Sequence, residues 1–342
     1  MPKPLIALTL GDPAGVGPET IAGAWTNPRL HAACRPFALG NPSVLRRAAA
    51  LWGRPLEVVE IHAPAEAAPS PALLPCLPAG DASAAEVPPA AIDPRGGQAA
   101  YDALVAATRL ALAGQIDALV TAPLHKAALW RAGHHYPGHT ELLAELCGVR
   151  DFAMMLYLPP GEPLRGPHGL GVVHVTLHMG LREVFAHLDT PAILAKIHLA
   201  DHVLKRLGAA RPRIGVAALN PHAGEEGLFG DEETRLIEPA VAQACAAGLD
   251  ATGPLPTDTL MVKARDGAFD AVVAMYHDQG HIALKLLGMH RAVNVTLGLP
   301  IVRTSVAHGT AFDLAWQGKA ETNSMVEAVC VAAQLAATRG AD

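Results

Sequence analysis

Short apolar runs recur along the chain, and most of them end in a polar loop followed by a helical pattern. LIALTL at 5–10, DALVTAP at 117–123, FAMMLYL at 152–158, GVVHVTL at 171–177, RIGVAAL at 213–219 and AVVAM at 271–275 read as strands. Near-continuous apolar strands of this length suit a sheet covered on both faces. Between them, 96–113 has a helical period with Tyr101, Leu104, Val105, Leu110 and Leu112 on or near one side, and 181–207 and 232–247 also read as helices. Residues 64–90, rich in Ala and Pro, read as an irregular exposed excursion, and 159–169 (PPGEPLRGPHG) as a loop. The alternation predicts an α/β protein.

The most polar of the strand ends organises the rest. After Ala271–Met275 the chain runs His277, Asp278, Gln279, Gly280, His281 and, a little later, Lys285. In open α/β sheets ligands bind outside the carboxyl ends of the strands. Two other apolar runs also deliver a histidine there: His178 after 171–177 and His222 after 213–219. Three imidazoles from parallel strand ends suit a divalent metal with open positions, although no local signature such as HExxH is present. Histidines that merely cap strand ends are the plainer reading of the same pattern.

Two further loops have the character of anion sites. Gly11-Asp12-Pro13-Ala14-Gly15-Val16-Gly17 joins a strand to a helix starting near Thr20, so its backbone N–H groups can face an anion. It is neither GxGxxG nor GxxxxGK[ST], and a tight turn that needs glycine is the simpler alternative. His125 and Lys126 follow the strand at 117–123, and Gly138-His139-Thr140 opens a helix. There Thr140 either helps hold a phosphate or caps the helix. Arg303, after the run at 301–302, is a candidate anion clamp.

Composition narrows the classes. The chain has 342 residues, 51% of them hydrophobic, which predicts two domains or one large α/β unit. A formal charge of −6 argues against nucleic acid as the main partner. Five scattered cysteines without a CxxC pair read as reduced thiols in a cytoplasmic protein. The first apolar run is too short for a signal segment, and none reaches membrane length.

Taken in order, GDPAGVGPE, TAPLHK, PGHTE, LNPHAGE, GPLPTDT, YHDQGH, VNVTLGLPIVRTS and HGTAFDLA resemble the 4-hydroxythreonine-4-phosphate dehydrogenase family of pyridoxal phosphate biosynthesis. The resemblance runs from about residue 5 to 335, and the wider group is similar to isocitrate and isopropylmalate dehydrogenases. It implies a two-domain α/β/α sandwich without the Rossmann glycine fingerprint. One domain would take 1–138 and 299–342 on the cofactor side, the other 139–298 with metal, substrate and dimerisation surfaces. It implies NAD, with NADP an alternative, near Gly11, Asp12 and Gly15 and near His308, Gly309, Thr310, Asp313 and Leu314. It also implies one divalent ion (zinc, magnesium or cobalt) on His178, His222 and His277. The matching substrate contacts are His139, Thr140, Lys285, Asn294 and Arg303, and Lys285 and Asp258 are the candidate bases.

The implied reaction is NAD-dependent oxidation of the secondary alcohol of 4-phosphooxy-L-threonine. The β-keto acid product decarboxylates to 3-amino-2-oxopropyl phosphate. The implied assembly is a homodimer with the active site near the subunit interface. Tyr136-Pro137 and His281 are more similar to a second branch, which acts on D-threonate or D-erythronate 4-phosphate, and relatives acting on aromatic cis-dihydrodiols share HVTLH and HDQGHI. Readings of other classes are a metal-dependent aldolase or hydrolase without NAD, which HGTAFDLA opposes, and a non-catalytic ligand-binding module, which the strand-end imidazoles oppose.

Overall fold

The computed structural model describes residues 2–338. In chain order the strands are β1 (Leu5–Thr9), β2 (Arg35–Gly40), β3 (Glu57–Glu60), β4 (Leu73–Pro78), β5 (Ala118–Thr121), β6 (Ala153–Leu158), β7 (Leu170–His174), β8 (Arg213–Ala217), β9 (Asp250–Leu255), β10 (Ala271–Ala274), β11 (Val293–Leu297) and β12 (Val302–Val306). The helices are α1 (Gly17–Ala24), α2 (Pro28–Ala33), α3 (Pro42–Ala50), α4 (Pro94–Leu112), α5 (Lys126–Arg131), α6 (His139–Leu146), α7 (Leu181–His187), α8 (Thr190–Arg206), α9 (Glu238–Ala246), α10 (Thr257–Arg265), α11 (His277–Gly288) and α12 (Asn323–Ala337). No helix among the described residues is long and apolar enough to cross a membrane.

The chain divides into two compact units, 1–150 with 299–342, and 151–298. In this division residues 139–150 fall with the first unit. The reason is α6: its Leu142 and Leu143 are fully buried in the same core as Phe37, Leu104 and Leu119 of unit 1. Each such side chain contributes roughly 1.5–3 kcal/mol by leaving water, which ties the helix to that unit.

Unit 1 carries the parallel order β3-β4-β2-β1-β5-β12. Its central strands are apolar throughout, with Ile6, Ala7, Leu8, Leu119 and Val120 inaccessible to solvent, as a sheet covered on both faces requires. The Pro-rich stretch read as irregular contains β4, which pairs with both β2 and β3. Unit 2 carries β11-β6-β7-β10-β8-β9. Here β7, β10, β8 and β9 are mutually parallel, whereas β6 runs antiparallel to both β7 and β11. Gly253, Pro254 and Leu255 of the GPLPTDT motif lie within β9. The helix expected over 181–207 is two, α7 and α8, because Asp189 leaves the helical conformation and caps the second through Ala192 N–H. The loop at 159–169 is held by Arg291, which donates to the carbonyls of Pro159, Pro160 and Glu162.

Candidate active site

The parallel trio β7, β10 and β8 sends its carboxyl ends to one edge of unit 2, register by register: Val173 opposite Val273, Val273 opposite Val216. The apolar strands stop earlier than the sequence suggests, and the three histidines sit in the loops or helix that follow. His277 is the first residue of α11, His178 is exposed ahead of α7, and His222 is exposed in the turn after β8. The rings of His178 and His277 have centroids 6.0 Å apart. They line an open pocket of about 580 Å³ with Leu181, Val184, Tyr276 and Asp278.

His277 Nδ1 lies 2.6 Å from Asp278 Oδ1. An ionised carboxylate only accepts, so Nδ1 carries the proton and Nε2 presents a lone pair. A carboxylate on the far nitrogen is the usual way to fix a ligating imidazole. The donor chemistry of His178 and His277 therefore fits a divalent ion. His222 does not join them as placed. Residues 222–226 all have positive φ, His222 at 53°, and its ring lies 6.2 Å from that of Phe229. Among the described residues no group of three or more His, Cys, Asp or Glu side chains stands within reach of one ion.

Polar clamps whose role the sequence did not reveal shape this edge. Glu233 is buried, and its Oε1 accepts from Leu219 and Asn220 N–H at 2.8 and 2.7 Å. Gln279 accepts from Met275 N–H and donates to Ala218 O and Thr257 Oγ1, so it staples the ends of β10 and β8 to the start of α10. His174, the last residue of β7, is buried. In the sequence Gln279 belongs to the polar cluster after β10, His174 sits inside an apolar run, and Glu233 lies in a polar stretch. Of the candidate bases, Asp258 is exposed in the first turn of α10 and accepts from Thr259 N–H, while Lys285 is half-buried on α11. Asn294 is half-buried within β11.

Unit 1 assembles a second cluster. Arg303 lies inside β12 and is buried, with its Nη2 donating to Thr121 Oγ1 at 2.7 Å. Burial pulls its pKa down to about 10, against a raising effect of Glu141, so the guanidinium stays charged at neutral pH. His139 and Thr140 begin α6 beside it. Thr140 is buried and is not the cap; Gly138 occupies that position without a side-chain bond. Burial first, then the charge of Arg303, hold His139 well below its ordinary pKa, although the carbonyl of Ala122 favours the protonated ring. Lys126 adds a further positive charge nearby. Two cations, a neutral imidazole, a hydroxyl and helix N–H groups together suit a multiply charged oxyanion.

The two loops expected to take the cofactor also meet within unit 1. Val16 N–H donates to Thr310 O at 3.0 Å, and a Cβ at Gly15 would stand 2.9 Å from Thr310. Gly11 has φ +68° and packs against the carbonyl of Pro123, where a side chain has no room. Glu19 receives the N–H groups of Trp316 and Gly318 and anchors the far end of the 308–318 segment. His308, Gly309, Thr310, Asp313 and Leu314 are all at least partly exposed. Asp12 differs: it is fully buried, with Oδ1 accepting from Ala14 N–H, so its carboxyl shapes the loop from within.

A model of the family described as pyridoxal phosphate biosynthetic protein PdxA matches residues 32–332. D-threonate 4-phosphate dehydrogenase of Salmonella typhimurium is 46% identical over 97% of this chain and 98% of its own length. 4-Hydroxythreonine-4-phosphate dehydrogenase of Geobacter metallireducens is also 46% identical, over 99% of this chain and 97% of its own. A crystal structure of 4-hydroxythreonine-4-phosphate dehydrogenase from Klebsiella pneumoniae superposes with a TM-score of 0.85 at 46% identity, covering 97% of this chain and 99% of that one. At the level of fold alone, isocitrate dehydrogenase from Methylococcus capsulatus follows with a TM-score of 0.51 at 16% identity, over 97% of this chain and 84% of that one. The dehydrogenase motifs, the mixed α/β architecture and the match over most of the length agree: the chain belongs to the PdxA family.

Proposed function

We propose that this chain is a metal-dependent dehydrogenase that oxidises the secondary alcohol of 4-phosphooxy-L-threonine with NAD, the resulting β-keto acid losing carbon dioxide to give 3-amino-2-oxopropyl phosphate. The observation that carries the reading is near full-length, 46% identity to proteins named as 4-hydroxythreonine-4-phosphate dehydrogenases. It disfavours both an NAD-independent aldolase or hydrolase and a non-catalytic binding module.

The residues divide the work. Arg303, His139 and Thr140, with Lys126, take the phosphate. His178, His222 and His277 would hold a divalent ion, and Lys285 or Asp258 would take the alcohol proton, with Asn294 positioning the substrate. The exposed face of the 308–314 segment, with the Gly11–Gly15 loop behind it, would take the dinucleotide. When bound, NAD accepts the hydride and the metal polarises the alcohol and then the ketone. Joining His222 to the other two ligands requires its turn to move, which a closing ligand set could drive through its binding energy.

The proposed partner is a second copy of the chain. Ile282 and Leu286 on α11 and Met289 just after it recur at helical spacing and are 57%, 82% and 46% exposed, an apolar stripe unusual for a monomer surface. The proposed location is the cytoplasm, in line with five free cysteines, two of them buried.

D-threonate 4-phosphate stands as a second reading, because a relative named for it matches just as well. The two substrates differ at one carbon, amine against hydroxyl. The deciding measurement is NAD reduction with each compound at equal concentration, in the presence of zinc, cobalt or magnesium. Faster turnover of D-threonate 4-phosphate would reassign the substrate, and no NADH with either compound would remove the dehydrogenase reading.

A further inference from the structure

Beneath His277 lies a pair of histidines that the proposed reaction does not use. His174 ends β7 with its side chain buried, and His281 is buried one turn after His277 on α11. His281 Nδ1 and His174 Nε2 are 3.0 Å apart. The approach depends on Gly280. A Cβ there would collide with Val172 Cγ1 and stand 2.9 Å from His174 Nε2 and 3.2 Å from Ala274 Cβ. The missing side chain lets α11 settle onto β7 and β10 closely enough for the two imidazoles to bond.

The ring of His281 then lies flat against that of His277, with centroids 3.9 Å apart and planes 11° from parallel. His277 is held on one face by this ring and at Nδ1 by Asp278. In the bond between the two deeper histidines one ring N–H donates to the other ring's lone pair.

We infer that His281, hydrogen-bonded to His174 and admitted to the sheet by Gly280, is a positioning residue that fixes the ring plane of His277 and so presents its Nε2 to the pocket shared with His178. The inference rests on the reading of His277 as a metal ligand. It predicts that losing the platform frees the ring without unfolding the unit. Outer partners of metal-binding histidines typically change affinity by about 10- to 100-fold, which sets the scale.

The test uses the chain stripped of metal by a chelator, in wild type, His281→Ala, His281→Asn and His277→Ala. Nitrogen-15 spectra of the histidine rings report the His277 tautomer without any metal. Wild type is expected to show a single Nδ1–H form, and both His281 variants an averaged signal. Calorimetric titration with Zn²⁺ is expected to weaken by about 10- to 100-fold in both. Asn retains a polar bond to His174 but removes the stacked ring, so it covers the case in which the Ala variant fails to fold. A single wild-type-like His277 tautomer in a folded His281 variant overturns the inference. If His277→Ala binds Zn²⁺ as wild type does, the metal reading fails instead, and the ring spectra still decide the platform.

Discussion

Arg303 on β12 is anchored by Thr121 at the end of β5, hydroxyl to guanidinium at 2.7 Å. The neighbouring strands pair in parallel, Ser305 opposite Thr121, so the bond spans one ladder. A hydroxyl orients the guanidinium plane without cancelling its charge. The charge of Glu141 also acts on this guanidinium, whose planar fork suits an oxyanion.

Arg303→Lys keeps a positive charge but loses the planar fork. We expect kcat/KM for the phosphorylated substrate to fall by about 100-fold, equivalent to about 2.7 kcal/mol of transition-state binding. The same variant assayed on 4-hydroxythreonine without its phosphate should lose far less. Equal losses on both compounds would show that Arg303 does not grip the phosphate.

Thr140→Val is nearly isosteric and removes one donor. Because Thr140 is buried in the first turn of α6 and is not its cap, helix stability should change little. The expected result is an increase of about tenfold in KM for the phosphorylated substrate, the scale of one hydrogen bond to a charged group. If the unphosphorylated compound or an aromatic diol is the better substrate of wild type, the phosphate assignment is wrong whatever this variant does.

Much of this arrangement was legible in the sequence because it repeats one rule. An apolar run followed by polar residues marks a strand end, and β7, β8 and β10 obey it in parallel, as do β1 and β5. Harder to read were elements whose identity comes from neighbours. LLPCLP has two prolines and no alternation, yet it becomes β4 because β2 and β3 flank it. Glu233 was equally silent, and Gln279 showed only as one member of a polar cluster, since a buried clamp looks like any polar residue until its partners are in place. His174 was hidden inside a run that otherwise reads as plain core. The left-handed turn at 222–226 carries only a single internal glycine, so nothing in NPHAGEEG forecast its direction.

That turn yields a third prediction. Gly224 has φ +80°, and a Cβ there would stand 2.8 Å from Glu233 Oε2. Gly224→Ala therefore strains the backbone and pushes on the carboxylate that holds Leu219 and Asn220. Unit 2 should lose roughly 1–3 kcal/mol in chemical denaturation. Divalent-ion affinity should drop as well, if His222 is a ligand. Unchanged stability would contradict the packing described, and unchanged Zn²⁺ binding would count against His222.

Two glycines separate cofactor contact from loop packing. Gly15→Ala places a methyl 2.9 Å from Thr310 and should part the two loops, raising KM for NAD together with a loss of stability. Among the described residues Gly309 meets nothing within 4 Å of its would-be Cβ. Gly309→Ala should leave the fold intact, so any rise in KM for NAD must come from contact with the dinucleotide. A Gly309→Ala enzyme with wild-type KM for both NAD and NADP would move the cofactor away from this loop.

Asp12 makes the last prediction, through pH. Burial, the largest cause, with a smaller contribution from Asp93, raises its carboxyl from 3.8 to about 6, although Ala14 N–H pulls the other way. Among the described residues Oδ2 has no hydrogen-bond partner. The folded state therefore holds the proton more tightly than the unfolded state between about pH 4 and 6. Stability rises with pH only where the unfolded state binds more protons, so here it falls as pH rises through that window. The upper bound is about 3 kcal/mol, two units at 1.36 kcal/mol each. Asp12→Asn keeps an oxygen for Ala14 N–H and cannot ionise. Relative to wild type it should gain stability from pH 6 upward, by up to about 3 kcal/mol, and little or nothing at pH 4. Urea denaturation of both proteins at pH 4, 6 and 8 measures this. A difference that stays constant across the three would mean that Asp12 does not titrate with folding, and its burial would then have to be compensated by a donor within the loop.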